Sequence, residues 1–147
     1  MKKFISILFV MIVAPITIGM HLAAQTTVVA DPNAPIITFQ SEVIDFGNVQ
    51  QGSEAIREFT FTNTGKSSLI ISSIKGACGC TTFPESWPKD PIPPGGTATF
   101  KVKYDTAIRV GMFDKKIMVS SNASNGLVEV KIKGTVIPVG APASGGN

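Results

Sequence analysis

Apolar and polar side chains alternate along Thr97-Ala98-Thr99-Phe100-Lys101-Val102-Lys103-Tyr104, the stretch that decides the fold. One face carries the larger apolar and aromatic side chains, with Phe100 and Val102 at its centre. The other face carries only threonine and lysine. Because successive side chains of a strand point to opposite faces, the stretch predicts a β-strand with one face in the core and one in water.

The same period of two recurs elsewhere, in Phe59 and Phe61, in Phe113, Ile117 and Val119, and in Val128, Val130 and Ile132. Weaker runs lie at 36–40, 43–46 and 68–74, and the breaks between runs fall at Gly47, Gly52, 63–65, 91–96, Gly111 and 122–126. No window of a dozen residues has helical spacing. We therefore predict an all-β fold, an immunoglobulin-like antiparallel β-sandwich of about seven strands over residues 36–137, with a small barrel as the alternative.

Composition agrees with one globular domain, since 44% of the 147 residues are hydrophobic and 16% are charged. The formal charge is +3, from 13 Lys+Arg and 10 Asp+Glu. Lys2 and Lys3 lie in a segment that we expect to be removed, which leaves 13 − 2 = 11 basic residues against 10 acidic ones, or +1. This balance argues against a nucleic-acid partner.

The first 24 residues have the form of a secretory signal peptide. A basic start is followed by an apolar run from Phe4 and by small residues that end at Ala24, where we expect cleavage. An uncleaved membrane anchor is the alternative, but Pro15 and Gly19 interrupt such a helix. Residues 25–35 are predicted to form an extended leader, and residues 138–147 a flexible tail.

Signal cleavage would also remove His21, the only histidine of the chain. The mature protein would then lack any catalytic triad or dyad that uses histidine, and any histidine-ligated metal. No spacing of the remaining residues indicates catalysis. We predict a protein that is not an enzyme and has no cofactor.

Cys78-Gly79-Cys80 is the one unusual motif. Three interpretations stay open. The cysteines form a local disulfide or small apolar fillers against Trp87, they form a redox-active dithiol, or they capture Cu(I) with help from Met112 and Met118. Cys78 and Cys80 are accordingly the candidate disulfide or redox pair and the candidate metal ligands.

Phe83 and Trp87 lie in a proline-containing segment and form a candidate binding platform for a peptide or glycan. The alternative is a structural role, in which the tryptophan covers an open part of the sandwich.

Several motifs occur in a recognisable order: Asp45-Phe46-Gly47-Asn48-Val49, Phe61-Thr62-Asn63-Thr64-Gly65, Leu69-Ile70-Ile71, Cys78-Gly79-Cys80-Thr81, Trp87-Pro88, Pro93-Pro94-Gly95-Gly96, Tyr104-Asp105-Thr106, Gly111 and Val119-Ser120-Ser121-Asn122. Together they resemble the bacterial family called domain of unknown function 1573, from about Phe39 to Val136. The resemblance implies a secreted protein of the kind common in Bacteroidetes. The sequence is also similar to the immunoglobulin-like domains of ASPM, SPD-2 and Hydin, and this similarity implies a sandwich. It implies no substrate or catalytic residue.

The sequence thus predicts an exported, non-catalytic immunoglobulin-like module that binds partners or has a structural role in the bacterial cell envelope. It would reside in the periplasm, outside the cell or on its surface, with no membrane span after signal cleavage. Envelope proteins or peptides are the expected partners. Thiol redox or Cu(I) handling at Cys78 and Cys80 is the alternative function, and addition of a partner strand to a sheet edge is a third.

Overall fold

A computed structural model describes residues 31–85 and 87–140 of the chain. The predicted signal peptide, residues 25–30 of the predicted leader and residues 141–147 of the predicted tail lie outside this part. Within it, no helix is long and apolar enough to cross a membrane.

The described residues form eight strands: β1 (Ile37–Phe39), β2 (Val43–Gln50), β3 (Ala55–Asn63), β4 (Ile71–Gly76), β5 (Thr81–Thr82), β6 (Thr97–Tyr104), β7 (Gly111–Ser121) and β8 (Val128–Ile137). They build two four-stranded sheets. The first sheet has the order β1-β3-β6-β5, and the second has the order β2-β8-β7-β4. The prediction of an all-β sandwich is confirmed.

The stretch that decided the fold is β6, at the centre of the first sheet. It pairs with β3 from Ala55 opposite Tyr104 to Thr62 opposite Thr97. Phe100, Val102 and Tyr104 are buried, as the alternation predicts, and the lysines between them are only partly buried. The second sheet contributes the alternate residues of β7 and β8 to the same core, including Ile117, Val119, Val130 and Ile132.

One detail differs from the strand prediction. The described residues form eight strands, which agrees with the expected number of about seven, but β2 runs parallel to β8, with Val43 opposite Lys131 and Gln50 opposite Ile137. Gly47, expected to end a strand, lies inside β2, at a φ of 64° where the register shifts. Because glycine tolerates positive φ, the strand bulges at this point instead of stopping.

The role of Asn63 also differs from the prediction, because the sequence around it indicated only a turn. Its side chain is fully buried at the end of β3. The Nδ2 atom donates to the carbonyl oxygens of Ser67 and Ile92 at 2.8 and 2.9 Å, and Oδ1 accepts from the N–H of Gly65 at 3.0 Å. One buried amide therefore joins β3, the β3–β4 connection and the segment before β6.

Candidate functional site

One end of the sandwich collects three connections and the last described residues of the chain. We call it the disulfide end, and it consists of residues 51–54, 77–80, 105–110 and 138–140. Strand pairing brings these segments together, because Tyr104 lies opposite both Ala55 and Thr81, and Gly111 lies opposite Val136. The chain before β7 and the chain after β8 therefore leave the second sheet at the same end.

Hydrogen bonds fix the connections of the disulfide end to one another. The Thr106 hydroxyl is buried and donates to the Ser53 carbonyl oxygen at 2.6 Å. The Gln51 N–H donates to the Ile137 carbonyl oxygen at 2.8 Å, and the Gln51 side-chain amide donates to the Ala107 carbonyl oxygen at 3.1 Å. The end is thus an ordered surface presented by both sheets.

Cys78 and Cys80 form a disulfide in the turn that carries the chain from β4 in the second sheet to β5 in the first. Their Cα atoms are 5.3 Å apart, a normal separation for a disulfide. Cys80 is buried, Cys78 is partly buried, and Gly79 between them is exposed. Of the states that the sequence left open, the structure has the disulfide. The redox role stays a prediction.

The methionines suggested as further copper ligands are not brought together. Met112 and Met118 are on one face of β7 and six residues apart, which is about 20 Å in an extended strand. Within residues 31–85 and 87–140, no group of three His, Cys, Asp or Glu side chains is placed to hold a metal ion. Cys78 and Cys80 as metal ligands stay a prediction, and reduction would have to precede binding because thiolates are the ligands.

An apolar surface that begins at the disulfide end and continues onto the adjoining start of β7 was missed in the sequence analysis. The apolar patch, as we call it, consists of Ile108, Val110, Met112 and Val139, which are 81%, 51%, 90% and 78% exposed. Met112, Ile108 and Val139 are the three most exposed large hydrophobic residues of the described chain. The sequence gives little indication of this patch. Its residues come from the loop before β7, from the start of β7 and from the chain after β8, and these segments are far apart along the sequence.

Two open concavities border the patch and the disulfide. The first, of about 530 Å³, lies at the bulge of β2 and is lined by Met112 and by polar residues that include Asp45, Asp114, Lys133 and Thr135. The second, of about 380 Å³, is lined by Gly79, Glu54, Lys103 and Thr106, among others.

One ion pair lies in each concavity. Lys133 Nζ lies 3.4 Å from Asp45 Oδ2, and Lys103 Nζ lies 3.3 Å from Glu54 Oε1. The Gly47 N–H donates to Asp45 at 2.7 Å. This hydrogen bond, helped by Lys133, lowers the pKa of the Asp45 carboxyl.

Phe83 and Trp87, the candidate binding platform, lie on a different part of the molecule. Their segment runs from β5 at the disulfide end to the bridge between Leu69 and Ile92 at the opposite end. Both rings are partly buried and pack against the core. The Lys89 ammonium lies 3.6 Å from the centre of the Trp87 ring, and the indole N–H has no hydrogen-bond partner among the described residues. Their role as a platform stays a prediction.

Comparison with known proteins gives a family and a fold. A family model described as "Protein of unknown function (DUF1573)" matches residues 37–136. No curated protein sequence matches the chain.

Several solved structures are similar. A protein of unknown function from Porphyromonas gingivalis has a TM-score of 0.61 at 16% identity, over 77% of this chain and 51% of that one, so this chain spans about half of its length. The ASH/PapD-like domain of human CEP192 has a TM-score of 0.56 at 12% identity, over 82% of this chain and 98% of that domain. The Escherichia coli chaperone DraB has a TM-score of 0.51 at 11% identity, over 75% and 57%. At these identities the likeness is one of fold.

Proposed function

Because this chain belongs to the DUF1573 family of proteins of unknown function, we propose that it is an exported, non-catalytic immunoglobulin-like module that binds a protein partner through the apolar patch. The observation that carries the proposal is that strand register places the three most exposed large hydrophobic residues of the described chain at one end of the sandwich. Scattered exposed hydrophobic residues are ordinary, whereas a cluster indicates an interaction site. Methionine suits such a site because its flexible thioether adapts to different surfaces.

The partner that fits the patch is an envelope protein or peptide that presents apolar side chains. The patch itself contributes aliphatic and thioether groups, and Arg109 lies in the chain between Ile108 and Val110. An ordered loop end is also where immunoglobulin-like domains commonly present their binding residues. Burial of Met112 and Ile108 against such a partner would remove apolar area from water, which is the main favourable term in association.

Export is supported by two features of the chain. Residues 1–24 have the pattern of a signal peptide. The Cys78–Cys80 disulfide is of a kind that persists in oxidising compartments and is rare in the cytosol. The proposed location is therefore the periplasm or the cell exterior.

A non-catalytic role is supported by where the shifted pKa values occur. Catalytic sites gather such groups in one cleft. Here burial raises the pKa of Tyr104 in the core, a hydrogen bond to Glu85 raises the pKa of Lys101 on the outer face of the first sheet, and a hydrogen bond from Gly47 lowers that of Asp45 on the second sheet. These three groups lie in separate places, and each shift has a local structural cause.

The binding proposal is tested by capture of partners from an envelope extract of the producing cells. We expect a double variant, Ile108→Glu with Met112→Glu, to capture its principal partner at least tenfold less than the unchanged protein, because charged groups in an apolar contact must be desolvated. Leu127→Glu is the matched control, since Leu127 is 57% exposed at the opposite end. Equal capture by the double variant, or an equal loss with the control, would contradict the proposal.

A further inference from the structure

We propose that the Cys78–Cys80 disulfide is a thiol–disulfide exchange site for a dithiol of a partner protein, with Cys78 Sγ as the sulfur that is attacked. This activity goes beyond the proposed binding function and does not depend on it. Three observations carry it: the small contribution of the bond to the fold, the different exposure of the two cysteines, and the groups around Cys78.

The disulfide contributes little to holding the fold together. It closes a loop of only three residues, and the chain-entropy contribution of a disulfide is smallest for the shortest loops. Stabilisation of the fold therefore does not explain why two cysteines stand at this spacing.

Backbone hydrogen bonds already hold the same turn on both sides. The Ala77 N–H donates to the Lys116 carbonyl oxygen at 3.0 Å, which fixes the turn to the second sheet. The Asp105 N–H donates to the Cys80 carbonyl oxygen at 2.9 Å, which fixes it to the first sheet. These bonds involve no sulfur atom, so the turn can keep its place when the disulfide is reduced.

The two cysteines differ in how accessible they are to a partner thiolate. Cys80 is buried in the core cluster, whereas Cys78 is partly exposed and is followed by the exposed Gly79. Apart from the two neighbouring cysteines, a methyl group at Gly79 would meet no atom within 4 Å, so the space beside this turn is open. The concavity of about 380 Å³ lined by Gly79 gives room for a segment of the partner. A partner thiolate therefore reaches Cys78 more easily than Cys80.

The exchange has two steps that together move two electrons to the cysteine pair. A partner thiolate bonds to Cys78 Sγ, the bond between Cys78 and Cys80 breaks, and its electron pair stays on Cys80 Sγ, which takes a proton from water. The second partner thiolate then attacks the partner's own sulfur in the mixed disulfide and releases Cys78 Sγ with its electron pair. The partner ends as a disulfide, having given up two electrons and, to solvent, two protons, and the cysteine pair takes up two of each.

Thr81 is placed to assist the second step. Its hydroxyl oxygen lies 3.9 Å from Cys78 Sγ, and its N–H donates to the Cys78 carbonyl oxygen at 3.3 Å. The hydroxyl would donate a hydrogen bond to the released Cys78 thiolate, which favours the charged form of the leaving sulfur. Thr81 is thus a positioning residue for this exchange.

The test equilibrates the full oxidised chain with a series of buffers of reduced and oxidised glutathione, then alkylates free thiols and records intact mass. Structural disulfides usually resist reduction by glutathione, whereas exposed or catalytic ones exchange with it. We expect the cysteine pair to pass reversibly from oxidised to reduced within the series, with the glutathione adduct mapped to Cys78. A pair that stays oxidised at the greatest excess of reduced glutathione would overturn the proposal.

Single variants test which sulfur is attacked. Cys80→Ser leaves a free Cys78, and Cys78→Ser leaves a free Cys80. With oxidised glutathione, we expect Cys80→Ser to form its mixed disulfide at least tenfold faster than Cys78→Ser. Equal or reversed rates would overturn the assignment of Cys78. If either variant fails to fold, mapping of the glutathione adduct in the unchanged protein decides the same question.

Discussion

Tyr104 shows at the scale of a single residue how the core is sealed at the disulfide end. Its ring stacks on Phe113 of the opposite sheet, with centroids 3.8 Å apart and an interplanar angle of 11°. The residue is almost completely buried, and this burial raises the pKa of its hydroxyl above the usual 10.0, because the charged form is disfavoured away from water.

The ionisation of Tyr104 should therefore report on folding. It is the only tyrosine of the chain, so the ultraviolet absorbance of tyrosinate follows this group alone. We expect a midpoint above pH 10.0 in the folded protein and a return to about 10.0 in denaturant. Since the folded pKa is the higher one, the associated stability is present below pH 10 and is lost as the pH rises through the folded value.

Tyr104→Phe provides the control for the pH dependence. It should weaken the loss of melting temperature above pH 10, and the change that remains would come from other groups. Equal midpoints for Tyr104 in folded and denatured protein would contradict its burial.

Individual residues also mark how far the candidate site could be predicted. Cys78-Gly79-Cys80 is visible in the sequence because its chemistry is local, and the structure forms the disulfide that was one of the open interpretations. The apolar patch could not be predicted, since Val139 joins Ile108 only through the pairing of β7 with β8. Sequence reasoning finds groups that are close along the chain, and this patch depends on partners that are distant along it.

At the scale of an element, β2 is the part that sequence reasoning described least well. Period two found β3, β6, β7 and β8 because each presents clearly alternating faces. In β2, only Phe46 is buried and the bulge at Gly47 interrupts the alternation. The parallel pairing of β2 with β8 also could not be predicted, because parallel neighbours are far apart along the chain and no local turn joins them.

Packing around the β2 bulge leads to a prediction about Gly134 of β8. A methyl group there would lie 2.8 Å from Cζ of Phe113 and 2.9 Å from the carbonyl oxygen of Gly47. Because one of these neighbours is backbone, β2 and β7 would have to shift together. We expect Gly134→Ala to lower the free energy of unfolding by about 1–3 kcal/mol, the usual cost of overpacking, as measured by urea denaturation.

Gly79→Ala is the matched control for Gly134→Ala, since a methyl group there meets no atom within 4 Å. Its free energy of unfolding should stay within about 0.5 kcal/mol of the unchanged protein. Similar effects from the two substitutions would contradict the close packing of β2 against β7 and β8.

At the scale of the whole molecule, the sandwich and the DUF1573 family were both predictable, because the alternation and the ordered motifs extend over most of residues 37–136. The function could not be predicted from the fold in the same way. The same fold occurs in proteins as different as the CEP192 domain and the chaperone DraB, and a fold does not determine an activity. The proposed roles rest instead on one end of this particular sandwich, with its apolar patch and its disulfide.

We propose that the chain acts outside the cytoplasm as an oxidised sandwich freed of its first 24 residues. The intact mass of the protein recovered from its producing cells, with thiols trapped on isolation, tests this claim most directly. We predict the mass of residues 25–147 less two hydrogens, with no alkylated cysteine. A mass that still includes residues 1–24 would contradict the account, as would alkylation of both Cys78 and Cys80 in every molecule, because the pair must be oxidised before it can accept electrons from a partner.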